Sequence, residues 1–178
     1  MNYIVLGRFQ PFHNGHVFLI EHALELAGNI GKVTVAIGSA SCQMEPRNPW
    51  TGEERKQMIE SWNDRVQVVL IDDINDPPNW VEHATKFHGE GVLVTSDKQT
   101  ADLYRESNWE VIEVDLTNRE NFEGWRIRQT AKMLSTVDDF EAVREVLSPS
   151  IPTSIIEWLI ENDALYRLST FQTGVYAG

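Results

Sequence analysis

The chain has 178 residues and 42% of them are hydrophobic, enough to bury one core of ordinary size and too many for a disordered segment. Its 15 lysines and arginines face 27 aspartates and glutamates, and the net charge of -12 argues against a nucleic-acid surface, because phosphate backbones are held by basic patches. Cys42 is the only cysteine, so no intrachain disulfide can form, no redox role is expected and the cytoplasm is the expected location. Met1 leads almost at once into an apolar run, and no apolar stretch approaches the roughly 20 residues that cross a bilayer, so a soluble protein without membrane contact is expected. A small anion can still bind, since exposed charges more than about 8 to 10 Å away are largely screened and local arginines then dominate a cleft.

In chain order, strand-like runs occur at Tyr3–Leu6, Val33–Ile37, Val66–Ile71, Val92–Thr95 and Val111–Val114, and helix-like segments separate most of them. This alternation predicts a Rossmann-like α/β fold: a doubly wound, five-stranded parallel sheet, helices on both faces and a ligand crevice at the carboxyl ends of the strands. The first run ends in Gly7-Arg8-Phe9-Gln10-Pro11-Phe12-His13-Asn14-Gly15-His16, and an apolar helical segment follows from Val17. Such a turn aims free backbone N–H groups of a helix N-terminus at a ligand and reads as a phosphate site, with Gly15 allowing close approach and His13 and His16 adding donors. Gly38 and Ser39 follow the second run, Asp72 and Asp73 the third, Ser96 and Asp97 the fourth.

Between the second and third runs, Thr51-Gly52-Glu53-Glu54 is a capping-box pattern that predicts a helix with Met58, Ile59 and Trp62 on its apolar stripe, and Pro46 and Pro49 keep the loop carrying Arg47 irregular. Asn79-Trp80 opens a helix after Asp76-Pro77-Pro78. Helices are predicted over Arg126–Leu134, Asp139–Leu147 and Thr153–Asn162, punctuated by Pro149 and Pro152 and packed on the sheet edge. One domain over residues 1–168 is expected, its C-terminal helical part spanning about 123–168, with residues 169–178 as a mobile tail.

Two histidines three apart could ligate a metal, but no further His, Cys or carboxylate cluster completes a tetrahedral set, and no metal site is expected. His22, His83 and His88 lie within helical patterns and read as structural. Asp72 and Asp73 read as capping or solvent-facing acids.

Gly-Arg-Phe-Gln-Pro-Phe-His-x-Gly-His, Ile37-Gly38-Ser39-Ala40 and Arg47-Asn48-Pro49-Trp50-Thr51-Gly52-Glu53-Glu54-Arg55 together resemble the archaeal-type nicotinamide-nucleotide (NMN) adenylyltransferases, over Met1 to about Arg128. The resemblance implies adenylyl transfer from ATP, brought with Mg²⁺, to NMN, with NAD⁺ and pyrophosphate as products and assembly as a homo-oligomer. It makes His13, His16 and Arg128 the catalytic residues. Arg8, Phe9, Gln10, Gly15, Arg47, Arg119, Gly124 and Arg126 join those three at ATP, and Gly38, Ser39, Asn79 and Trp80 are placed at NMN or NAD. Trp80 suits a flat cationic ring. Glu123 and Trp125 stand where the family usually has small hydroxyl residues ahead of its arginine. Nicotinate mononucleotide, phosphopantetheine or FMN as acceptor, and a non-catalytic nucleotide sensor, are the alternative readings. A P-loop and a Gly-x-Gly-x-x-Gly turn are both missing from the sequence.

Overall fold

Side-chain alternation along the strands decides which residues meet which layer of helices. The computed structural model describes residues 1–116 and 122–171. Strands β1 (Asn2–Gly7), β2 (Lys32–Ile37), β3 (Val66–Leu70), β4 (Val92–Thr95) and β5 (Glu110–Glu113) form one all-parallel sheet in the order β3-β2-β1-β4-β5. The central strand β1 is flanked by β2, with Val5 opposite Val35, and by β4, with Ile4 opposite Leu93. Ile4 and Val5 are both fully buried, on opposite faces, as a strand covered on both sides demands.

Val5, Val33, Val35 and Ile37 pack with Leu19, Ile20 and Ala23 of α1 (Asn14–Ala27) and with Met58 and Ile59 of α2 (Gly52–Trp62). Ile4, Ala36 and Leu93 pack on the other face with Val81 and Ala84 of α3 (Trp80–His88) and Tyr104 of α4 (Lys98–Glu106). His88 is structural: its Nδ1–H donates to the Gly89 carbonyl at 2.7 Å, so its Nε2 accepts from the Tyr104 hydroxyl at 2.8 Å.

The last helices are α5 (Gly124–Met133), α6 (Phe140–Leu147), α7 (Thr153–Glu161) and α8 (Arg167–Thr170). They do not sit on the sheet edge as their late position suggested. Ile127, Ala131, Val143, Leu147, Ile155 and Leu159 instead join the apolar cluster of α1 and α2. Edge strand β5 offers only half-buried side chains at Val111 and Ile112, too little apolar surface for three helical stripes, whereas α2 gives α7 a broad face. Helix α8 and Phe171 reach into the stretch expected as a tail, and residues 172–178 lie outside the described residues. Among the described residues no helix is long and apolar enough to cross a membrane.

These C-terminal helices also brace the loop that carries Arg47. The Trp50 indole N–H donates to the Ala164 carbonyl at 3.1 Å, and Arg167 donates to the Pro49 carbonyl at 3.1 Å while gripping both oxygens of Glu54 at 2.6 and 2.7 Å. Burial opposes the Glu54 charge, but the Arg167 fork and the Thr51 amide outweigh it and hold the carboxyl below its ordinary pKa. The predicted capping box is present, Thr51 accepting from the Glu54 amide at 3.1 Å and Glu54 from the Thr51 amide at 2.8 Å.

Candidate active site

Helix α1 begins at Asn14, three residues before the apolar segment at Val17, and this brings both histidines into its first turn. His13 is the N-cap, and its backbone N–H donates to His16 Nδ1 at 3.2 Å. The two imidazoles stack with centroids 3.6 Å apart. Burial, reinforced by the nearby Arg128 charge, pushes His13 down to about 3, and burial next to His13 holds His16 well below its ordinary value. Both rings are therefore neutral near pH 7. Because His16 accepts at Nδ1, its proton resides on Nε2, which makes that edge a donor. His13 Nδ1 is buried without a hydrogen-bond partner.

Phe9 and Phe12 fix the imidazoles from behind. Phe9 has φ 52° and meets His16 edge-on at 4.6 Å, while Phe12 stacks on His16 at 5.7 Å. Both are buried, so Phe9 supports the histidine and its ring is spent on packing. Gly15 is required by the protein's own packing: a Cβ there would lie 2.9 Å from Phe122 Cβ and 3.1 Å from His13 Cε1. Asn14 is tied to the loop between α6 and α7, its amide donating to Ser150 O at 2.9 Å and its side chain to Pro149 O at 3.1 Å.

Arg128 reaches the same turn from α5 and donates to the Gln10 carbonyl at 2.6 Å. Burial, then the charges of Arg8 and Arg47, lowers its pKa to about 10, so it stays a cation at neutral pH. Gly124 keeps the approach open, since a Cβ would sit 3.3 Å from an Arg128 guanidinium nitrogen. The Gln10 side chain is committed to Trp50, donating to its carbonyl at 2.8 Å and accepting from its amide at 3.2 Å.

A cleft of about 660 Å³ is lined by Arg8, Ser39, Cys42, Arg47 and two acids, Glu45 and Asp73, among others; the histidines and Arg128 are not in its lining, but the Arg8 and Arg47 charges reach Arg128. Ser39, at φ 49°, donates its hydroxyl to Asp73 at 2.6 Å. Gly38 leaves open room at the end of β2, its nearest neighbour for a Cβ being 3.8 Å away. The turns after β1 and β2 thus bring Arg8, Gly38 and Ser39 to one edge of the sheet, and the loop before α2 adds Arg47 to the cleft.

A family model described as cytidylyltransferase-like matches residues 4–146. The chain belongs to the cytidylyltransferase-like family. The nicotinamide-nucleotide adenylyltransferase of Picrophilus torridus is 34% identical over 134 residues, covering 72% of this chain and 78% of its own. Its counterpart from Thermoplasma volcanium is 30% identical over 178 residues, covering 95% and 91%. Among solved structures, a bifunctional NMN adenylyltransferase/ADP ribose pyrophosphatase from Francisella tularensis superposes with a TM-score of 0.65 at 23% identity, over 93% of this chain and 51% of that one. The present chain therefore spans about half the length of that protein and shares its fold.

Glu123 and Trp125, expected as departures from the resembled family, stand at the start of α5. Glu123 pairs with Arg126 at 2.7 Å, and the Arg126 guanidinium lies 4.7 Å over the Trp125 ring. The carboxylate is thus balanced on the helix surface, and Arg126 is engaged by its neighbours. Arg119 lies outside the described residues. At the start of α3, Asn79 donates to Asp76 at 2.7 Å, and the half-buried Trp80 meets Tyr104 edge-on at 6.4 Å. Among the described residues, no group of three or more His, Cys, Asp or Glu side chains is arranged to hold a metal ion.

Arg55 closes the Arg47–Arg55 motif of the sequence, where it has no assigned role. Arg55 is fully buried beneath the turns after β1 and β2, and its guanidinium donates to five backbone carbonyls. The available signal was its spacing, three and four residues before Met58 and Ile59 on the buried stripe of α2.

The neutral histidines tie stability to pH. Between about pH 6.5 and 3 an unfolded histidine carries a proton that folded His13 refuses, so the unfolded state binds more protons and stability falls with falling pH. Urea unfolding of the ligand-free protein should lose about 1.4 kcal/mol through His13 alone between pH 7.5 and 5.5, and His13→Gln should remove that share. An identical pH dependence in the variant would contradict the neutral, buried state of His13.

Proposed function

We infer that this chain transfers AMP from ATP to NMN, giving NAD⁺ and pyrophosphate. The carrying observation is the stacked, neutral His13–His16 pair at the N-terminus of α1, with a protonated Arg128 beside it, in a chain whose archaeal relatives are named nicotinamide-nucleotide adenylyltransferases. In the reaction, a phosphate oxygen of the acceptor attacks the α-phosphorus of ATP. The new P–O bond forms as the bond to pyrophosphate breaks, and no protein nucleophile takes part. Positioning and charge stabilisation are what the protein supplies.

A neutral imidazole with its proton on Nε2 suits this task, since it donates to phosphate oxygens without first being protonated. His16 takes that role as negative charge moves to the leaving group, and His13, stacked on it, is assigned to the same phosphates. Arg128 adds fixed positive charge, and Arg8 and Arg47 extend it along the cleft. ATP enters as its complex with a divalent cation, for which we propose Mg²⁺, a cation that keeps several waters and binds through substrate phosphates. Gly38, Ser39, Asn79 and Trp80 are assigned to NMN. The exposed side of the Trp80 indole is suited to a pyridinium, an attraction worth about 0.5 to 2 kcal/mol.

Incubating the purified chain with ATP, Mg²⁺ and a panel of NMN, nicotinate mononucleotide, phosphopantetheine and FMN tests the reading. NAD⁺ and pyrophosphate should appear in equal amounts from NMN, and His16→Ala should lower turnover about a hundredfold or more. Product from another acceptor but not from NMN would overturn the assignment, and no turnover at all would favour a nucleotide sensor. Trp80→Ala should raise KM for NMN far more than KM for ATP. The reverse ordering would remove Trp80 from the acceptor site.

A further inference from the structure

Helix α2 carries a cation on its buried stripe. Arg55 is fully buried, and all three guanidinium nitrogens are spent on main-chain oxygens. Nε donates to Thr51 at 3.1 Å, one terminal nitrogen to Arg8 at 2.8 Å and Gly38 at 3.2 Å, and the other to Ser39 and Ala40, both at 3.1 Å. Four of these carbonyls belong to the turns that deliver Arg8 and Ser39 to the cleft.

Arg55 has no carboxylate partner among the described residues. Its neighbour Glu54 is gripped by Arg167 at both oxygens. Burial lowers the pKa of Arg55 to about 10, which leaves it charged at neutral pH. A buried cation with no carboxylate in contact is costly, and the carbonyl dipoles with the nearby Cys42 and Glu54 charges offset only part of that cost. Anions bound in the adjoining cleft would offset more.

We propose that Arg55 is a positioning residue of the phosphate cleft: it draws the carbonyl oxygens of both turns onto its own donors, where they cannot oppose incoming phosphates, and supplies fixed buried charge beneath them. The proposal rests on the reading of this cleft as the site for ATP and NMN. It differs from a purely structural role in predicting a loss of anion affinity that follows charge as well as shape.

Arg55→Met and Arg55→Lys test it in the full chain, with far-UV circular dichroism to establish folding, calorimetric binding of tripolyphosphate and ATP, and steady-state kinetics. Arg55→Met should weaken tripolyphosphate binding and raise KM for both ATP and NMN about tenfold or more, with Arg55→Lys retaining more of the tripolyphosphate affinity. Equal tripolyphosphate affinity in wild type and a folded Arg55→Met overturns the proposal, as does equal loss in both variants. Should Arg55→Met fail to fold, Arg55→Lys decides alone. Lysine has fewer donors than there are carbonyls, so its KM values must rise by about threefold or more, and wild-type kinetics would overturn the proposal. A wild-type chain that binds neither tripolyphosphate nor ATP would instead overturn the functional reading beneath it.

Discussion

A phosphate site built from strand-to-helix turns has to satisfy its own backbone without spending the groups that must face the ligand. Turns at the carboxyl edge of a parallel sheet expose carbonyl oxygens as readily as amides, and carbonyls oppose an anion. In this protein the carbonyls after β1 and β2 are collected by Arg55, and the Gln10 carbonyl by Arg128. The His13 amide N–H donates to His16 Nδ1 and so orients that ring. The donors proposed to face a ligand are then the Nε2 edge of His16 and the arginines along the cleft.

The C-terminal helices serve the same end from a distance. The loop carrying Arg47 is pinned through Pro49, Trp50 and Glu54 to Ala164 and Arg167, and the start of α1 is pinned through Asn14 to Pro149 and Ser150. Arg128 arrives from α5, which shares a core with α1. The last third of the chain therefore reads as the brace of the cleft, and its packing against α1 and α2 is what allows it to be one.

Much of this was legible in the residues. The strand runs have the period and apolar character of buried parallel strands, and the Thr51–Glu54 box announces α2 by local hydrogen bonding, so both survive in the fold. The His13–His16 pair was legible because its spacing sets both rings in one helical turn. The placement of α5 to α7 was not, since amphipathic stripes state that a face is buried but not against what. Phe9 and Gln10 illustrate a second limit: a motif marks residues that matter at a site without separating those that touch a ligand from those that hold its neighbours, and here their side chains support His16 and Trp50. Arg55 illustrates a third, because an arginine on an apolar stripe reads as a snorkelling surface residue until its five acceptors are seen together. The pairing of Glu123 with Arg126 was readable in principle from its three-residue spacing.

The central claim is that this protein positions two substrates for one direct displacement, with histidines and arginines as donors and no covalent adenylyl intermediate. Its most direct test is the stereochemistry at phosphorus, followed with ATP carrying a single sulfur of defined configuration on the α-phosphate and NMN as acceptor. One in-line displacement predicts inversion of configuration at the α-phosphorus in the NAD⁺ analogue formed. Retention would mean two displacements through a protein-bound adenylate and would contradict the account.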